Sequence, residues 1–332
     1  MKTRRHLCGL LAAALCAAAA APGALAAPPY PTKPVTVMVP YPAGGATDAS
    51  ARMYATLMGA KLGQPVLVEN LGGVSGGLGA QKVLSAPADG YYLFLGSPNE
   101  VILSPLVNPA VKYKPQDFVL VQPSSYVPLV VLARKGLPVN SVDELIDLAR
   151  KSAAAGAPLS YGTTGLGSLY HLVTENFAQR IGSKLTHAPY KGGAPMIQDL
   201  AGGQIDFVIT AYQSSFDAMA EQGRMKMLAS LGATRPETLK HLPTVNESRQ
   251  LQNFSYTIWG GFFVRKGTPD ELVQRLRTVI AEAQQDPAAI SFRETQRSLK
   301  IPDMSAQEIA RFFESETARY AELTKAVGVK AD

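Results

Sequence analysis

Two short runs of small residues hold the chemistry this sequence can do. Pro40-Tyr41-Pro42-Ala43-Gly44-Gly45-Ala46-Thr47-Asp48 and Gly162-Thr163-Thr164-Gly165-Leu166-Gly167-Ser168 each stand between a short apolar run and a segment with helical spacing. Small residues ahead of a helix leave its first N–H groups uncovered, and the helix dipole favours negative charge there. Seryl and threonyl hydroxyls add adjustable donors. The chemistry that fits is the holding of an anion, most simply a carboxylate. Tyr41, Ala43, Gly44, Gly45, Thr47 and Asp48 are the candidates in the first run, and Thr163, Thr164, Gly165, Gly167 and Ser168 in the second. Ser97 and Asn99, and then Tyr212 and Gln213, occupy comparable places after two further apolar runs. None of these loops contains Lys or Arg, so dipoles and not a formal cation must hold the guest. Asp48 has Arg52 one turn later, which predicts a first-turn charge and an i,i+4 pair.

Other chemistry finds less support. Gly73-Val74-Ser75-Gly76-Gly77 fits the G-x-S-x-G nucleophile pattern. Glu69 through Gly72 separate Ser75 from the strand at Val66–Val68, however, which makes a poor nucleophile elbow and a good helix-entry turn. A secreted serine hydrolase using Ser75 is the alternative from another class. His171 and Glu175 lie i,i+4 and could share a metal, but the spacing offers no third or fourth ligand, so no metal and no cofactor is expected.

The elements that position these loops alternate. Val35–Val39, Val66–Val68 and Tyr91–Leu95 read as strands, separated by helices over Asp48–Leu62 and about Gly77–Leu84. Strands at Leu159–Tyr161, Leu185–His187 and Phe207–Thr210 alternate in the same way with helices Leu169–Ile181 and Ala194–Ala201. Alternation implies mostly parallel sheets flanked by helices, and ligands bind beyond the carboxyl ends of such strands. Capping boxes are read at Ser141–Glu144, Thr268–Glu271 and Ser305–Glu308, the last opening a helix to about Val327. The strand–turn–helix pattern of Val131–Pro138 and Asp143-Glu144-Leu145 is echoed by Phe262–Pro269 and Asp270-Glu271-Leu272. These are read as paired elements where the chain crosses between lobes. The expectation is an α/β clamshell of type II character with two hinge crossings: residues 27–125 and 256–332 form one lobe, and residues 126–255 the other.

The N-terminus supplies the address. Lys2, Arg4 and Arg5 precede an apolar stretch from Leu7 to Ala21, and Ala24-Leu25-Ala26 gives a small-x-small cleavage site. That is the layout of a secretory signal peptide over residues 1–26, cleaved near Ala26. A retained anchor or a lipid on Cys16 fits less well: the stretch is short, and Leu15 is bulky for a lipobox. Both cysteines, Cys8 and Cys16, fall in the leader. Three of the charges behind the net +6 do as well, and no basic block marks a nucleic-acid surface.

The residues also resemble a family. Tyr30-Pro31-Thr32-Lys33-Pro34 with Val39–Asp48, Leu62-Gly63-Gln64-Pro65-Val66 with Val68-Glu69-Asn70, and Ala88-Asp89-Gly90-Tyr91 resemble Bug-type receptors of tripartite tricarboxylate transporters. So do Pro189–Pro195, Asp199-Leu200 with Gly202–Asp206, and Leu242–Ser248. The resemblance implies a periplasmic solute-binding protein with two α/β lobes. It implies a ligand carboxylate held at the loops Tyr41–Asp48 and Gly162–Ser168, and membrane subunits of a secondary transporter as partner. It offers tricarboxylates, dicarboxylates, acidic amino acids and aromatic acids as ligands. A monomer is expected, and a sensory receptor on the same fold is a further alternative. The chain departs from the family pattern at Leu71-Gly72, around Tyr212-Gln213 and at Arg249–Gln252, which bears on ligand identity.

Overall fold

β-branched runs become strands where breakers bound them, and the first strand shows it: Pro34 precedes and Pro40 follows β1 (Val35–Val39). The computed structural model describes residues 30–73 and 76–328. The signal peptide, its cleavage near Ala26, and Ser75 lie outside the described residues. Residues 33–332 cluster as one unit and residues 1–32 as another, and every strand and helix of the described residues lies in the larger unit.

β1 pairs in parallel with β2 (Val66–Asn70) and with β3 (Tyr92–Gly96). The crossovers are α1 (Ala46–Leu62) and α2 (Gly77–Ser85). α1 stops where Gly63 turns left-handed at φ 68° and returns its N–H to Gly59. A π-helical turn (Asn99–Leu103) and the short α3 (Ser104–Val107) follow β3.

β4 (Phe118–Arg134) then runs for 17 residues. Its first part is antiparallel to β9 (Thr257–Arg265). Its last residues pair instead with β7 (Phe207–Ala211) and β8 (Met225–Ser230). Beyond α4 (Val142–Ala154) come β5 (Ser160–Thr163), α5 (Leu169–Ile181), β6 (Thr186–Pro189) and α6 (Gly193–Gly202), with α7 (Ser215–Glu221) after β7. β5 is parallel to both β6 and β7. The strand order is β2-β1-β3-β9-β4-β7-β5-β6, with β8 also on β4. β4 is thus the strand through which both halves of the sheet are joined. Among the described residues no helix is long and apolar enough to cross a membrane.

The C-terminal third folds back as α8 (Asp270–Gln284), α9 (Pro287–Thr295) and α10 (Ala306–Val327). Ser305 and Glu308 form the capping box that the spacing predicts. At Ser141 only half a box forms: its hydroxyl accepts from Glu144 N–H, while Glu144 reaches Asn140 N–H. The box read at Thr268 is not made, because Pro269 becomes the cap and the Thr268 hydroxyl donates to the Arg265 carbonyl at 2.8 Å. α10 is fastened to β9 by a buried bond in which Trp259 Nε1 donates to Glu316 Oε2 at 2.8 Å, with Phe312 edge-on to the indole.

Trp259 is nearly inaccessible and fills the space between β9 and α10. Trp259→Ala leaves a large void and an orphaned Glu316, and is expected to cost about 3–5 kcal/mol in urea unfolding. Trp259→Phe keeps most of the volume and loses chiefly the hydrogen bond, at about 1–3 kcal/mol. Equal losses for the two variants would contradict this account of the contact.

Candidate functional site

The first loop leaves β1 at Pro40 and enters α1 at Gly45, which caps the helix without a side-chain bond. Gly44 sits at φ +87°, a conformation strained for any residue with a Cβ. Its N–H donates to Asp48 Oδ2 at 2.9 Å, and Arg52 Nε donates to the same oxygen at 3.0 Å. Asn70 Nδ2, from the end of β2, bridges Asp48 Oδ1 at 3.0 Å and the Tyr41 carbonyl at 3.1 Å. Asp48 is therefore buried and braces the loop from within. The Arg52 bond, then the Gly44 N–H and Asn70, hold its carboxyl below the ordinary range against the cost of burial. Ala43, Gly44, Gly45 and Ala46 lie exposed and Thr47 half-buried, so the opening turn of α1 faces outward with its free N–H groups.

The second loop joins β5 to α5 and is braced from below. Ser168 caps α5, its hydroxyl oxygen accepting from His171 N–H at 3.3 Å. The Ser168 and Thr163 hydroxyls both donate to the Gly165 carbonyl, at 2.8 and 3.2 Å. Gly165 and Gly167 take φ values of +137° and +73°. Gly167 N–H donates to His171 Nδ1 at 3.1 Å, which makes that imidazole an acceptor and hence neutral. His171 stacks on His187 at 4.1 Å between ring centres, and His187 Nε2 lies 2.7 Å from Thr163 Oγ1. Burial drives both imidazoles down to about 4. Glu175, one turn after His171, accepts from the Tyr161 hydroxyl. Thr164 remains half-buried at the loop's outer edge.

The third loop, after β3, connects the two. Asn99 Oδ1 accepts from Leu169 N–H at 2.8 Å and so caps α5 from the other half of the sheet. Val107 lies so close to Gly167 that an added Cβ would come within 2.2 Å of it. Ser97 turns its donors inward: its N–H and hydroxyl both go to Glu100 Oε2, at 2.7 and 2.9 Å. The Tyr41 hydroxyl donates to Glu100 Oε1. Glu100, outside the residues that spacing picks out, is thus the hub of the third loop. Burial raises its own pKa, while the Tyr41 and Ser97 bonds oppose the rise. Burial, and after it the nearby Glu100, raises the Tyr170 hydroxyl on α5 too. In the fourth loop Tyr212 is buried and donates to Asp217 Oδ2 at 2.8 Å, where Arg297 also pairs at 2.7 Å. Its hydroxyl is engaged within its own half, and Gln213 is exposed.

The structure brings the first three loops to the carboxyl ends of β1, β3 and β5 and joins the second and third directly. With Ser97 and the Tyr41 hydroxyl committed to Glu100, Thr163 to the Gly165 carbonyl, and the Leu169 and His171 N–H groups of α5 to Asn99 and Ser168, the donors left for a guest are chiefly backbone N–H groups at the opening of α1 and the Thr47 and Thr164 hydroxyls. Glu100 had one visible signal, an acid immediately ahead of the apolar run Val101-Ile102-Leu103.

Residues 50–329 match the family described as tripartite tricarboxylate transporter family receptor. BugT of Bordetella pertussis is 33% identical over 308 residues, covering 91% of each chain. The structure of R. palustris Rpa4515 with adipate is 34% identical with a TM-score of 0.80, covering 91% of this chain and 99% of that one. The periplasmic binding protein BugD is 30% identical with a TM-score of 0.79, covering 91% and 100%.

The histidine pair predicts a pH effect. Unfolded imidazoles titrate near 6.5 and these near 4, so below about pH 6.5 the unfolded chain takes up protons that the fold refuses. Stability is expected to be full above pH 7 and to fall between pH 6.5 and 5, by about 1 kcal/mol per pH unit from His171 alone. Urea melts across that range check it, with His171→Asn expected to flatten the slope; stability independent of pH there contradicts it.

Proposed function

The chain belongs to the tripartite tricarboxylate transporter receptor family, and we propose that it captures a small organic acid between its lobes for a secondary transporter. Family membership makes it a two-lobed solute-binding receptor and not an enzyme. The observation that carries the ligand class is the opening of α1 at Gly45, exposed and without a side-chain cap, with a second glycine-bearing helix entry at the carboxyl end of β5. A carboxylate seated there replaces the missing cap with charge-assisted N–H bonds. The adipate in Rpa4515 supports an acid as the guest. Di- and tricarboxylates, acidic amino acids and aromatic carboxylates are the candidates.

In this reading the lobes are residues 27–125 with 256–332, and residues 126–255. β4 exchanges β9 for β7 and β8 about Pro128 and Leu129, and the chain re-enters β9 at Thr257, next to Tyr256, whose N–H bonds the Leu231 carbonyl at 2.8 Å. These are the two places about which the lobes close on the ligand. The mature protein acts in the periplasm as a monomer, after loss of residues 1–26, and its partner is the membrane part of the transporter. A serine hydrolase at Ser75 has no support from the family.

Micromolar affinity requires about −8 kcal/mol, and several charge-assisted hydrogen bonds at about 1.5–3 kcal/mol each are of the right scale. A thermal-shift screen against small carboxylates tests the reading. An acid at a hundredfold excess over its dissociation constant adds about 2.7 kcal/mol of stability, and its amide adds none. Gly44→Val and Gly165→Val put a branched side chain where φ is positive, and each is expected to abolish the shift while the protein stays folded. Undiminished binding in either folded variant excludes its loop from the site.

A further inference from the structure

We propose that the guest is an acid carrying its own hydrogen-bond donor beside the carboxylate, a 2-hydroxy or 2-amino acid, and that this donor is met by the backbone carbonyls of Ala43 and Leu166. The proposal rests on the reading of the two loops as a carboxylate site and names the kind of acid that fits it. Its basis is one peptide orientation that both loops share. On the first loop Gly44 N–H donates to Asp48 Oδ2 at 2.9 Å. On the second Gly167 N–H donates to His171 Nδ1 at 3.1 Å. Each acceptor is the third residue of the helix that follows, four residues after its glycine, and each is buried. The N–H and C=O of a trans peptide point in opposite directions. Turning the two N–H groups in towards Asp48 and His171 therefore turns the Ala43 and Leu166 carbonyls away from the buried side, and both of these residues are exposed. Neither carbonyl has a partner among the described residues.

The backbone fixes this orientation. Ser168 N–H closes a turn onto the Gly165 carbonyl at 3.2 Å, with Leu166 and Gly167 at its centre. Gly167 at φ +73°, after a residue whose φ is not positive, gives the type II form, in which the third position calls for glycine. Its central peptide is turned over relative to the commoner type I form. Gly44, at φ +87° after Ala43, repeats the arrangement on the first loop. The glycines thus decide which end of the peptide a guest sees.

A guest that offers only carboxylate oxygens sets acceptor against acceptor at these two carbonyls. The Ala43 carbonyl lies two residues before Gly45, at the opening of α1, so the group that meets it must stand next to the carboxylate. A hydroxyl or an ammonium group at the 2-position donates there. Once the cleft closes, a carbonyl without a donor has lost water and gained nothing, and that penalty falls on acids that lack the donor.

Isothermal titration at pH 7.5 tests the proposal with propanoate, succinate and glutarate, each beside its 2-hydroxy, 2-amino and 2-methoxy derivatives. The methoxy compounds keep the oxygen and lose the donor. In whichever set binds, the hydroxy or the amino acid is expected to bind at least tenfold tighter than both the parent and the methoxy acid. His171→Leu removes the acceptor of Gly167 N–H and frees that peptide to turn over, so the preference should fall towards one. His171→Asn offers Oδ1 in place of Nδ1 and should keep it. A merely structural role for His171 would weaken parent and derivative alike and leave their ratio unchanged in folded His171→Leu, which would overturn the assignment of the Leu166 carbonyl. Should the leucine variant fail to fold, the comparison in the wild type decides. A parent acid that binds the wild type as tightly as its hydroxy and amino derivatives overturns the proposal and leaves the carboxylate site standing. Failure of every acid, with or without a donor, counts against the carboxylate reading itself, and this proposal falls with it.

Discussion

On the proposed reading an anion is held here without a formal positive charge, and the bracing of the two loops answers that constraint. A lysine or arginine finds a carboxylate from many directions. A backbone N–H does so only if the chain behind it is fixed. The two loops are accordingly braced by side chains whose polar atoms are already engaged. Asp48, Arg52 and Asn70 fix the first from within. His171, His187 and Thr163 fix the second from beneath. The cost is visible in the electrostatics: imidazoles kept neutral by burial, and an acid at Glu100 whose pKa burial raises against its bonds to Tyr41 and Ser97.

The braces belong to different halves of the sheet, and β4 with Asn99 brings them into register. Asn99 stands on a turn after β3 yet caps a helix that follows β5. Its bond to Leu169 N–H exists only when the two halves approach each other. Val107 against Gly167 makes the same junction through shape, and only glycine leaves the room for it. α10 adds to this tie, since its Glu316 grips Trp259 on β9 while its other end reaches α5, where Gln179 Nε2 donates to the Val327 carbonyl at 3.3 Å.

Much of the fold could be read from local signals. Leu169–Ile181 runs between a serine cap and a left-handed Gly182, both visible as residue types, and its ends fall where the sequence puts them. The Ser305–Glu308 box is equally local. β4 was legible only at its end, because Pro123, Ser124, Ser125 and Pro128 read as breakers. The strand accommodates them where its register shifts, between Leu120 and Gln122 and between Pro123 and Ser125. The candidate loops could be placed at strand ends because glycines mark them. What their side chains do could not, since the partner that decides it is distant: Glu100 for Tyr41, Asp217 for Tyr212, Leu169 for Asn99. Spacing reveals neighbours one turn apart, as with Asp48 and Arg52, and is blind to contacts made through the fold.

The claim that backbone dipoles hold the guest is tested most directly by a structure of the protein with an acid that stabilises it. The account requires one ligand carboxylate within hydrogen-bonding distance of N–H groups at the opening of α1, residues 45–48, and of the loop entering α5, residues 163–168. A carboxylate paired instead with a lysine or arginine, or seated away from both helix openings, would contradict it.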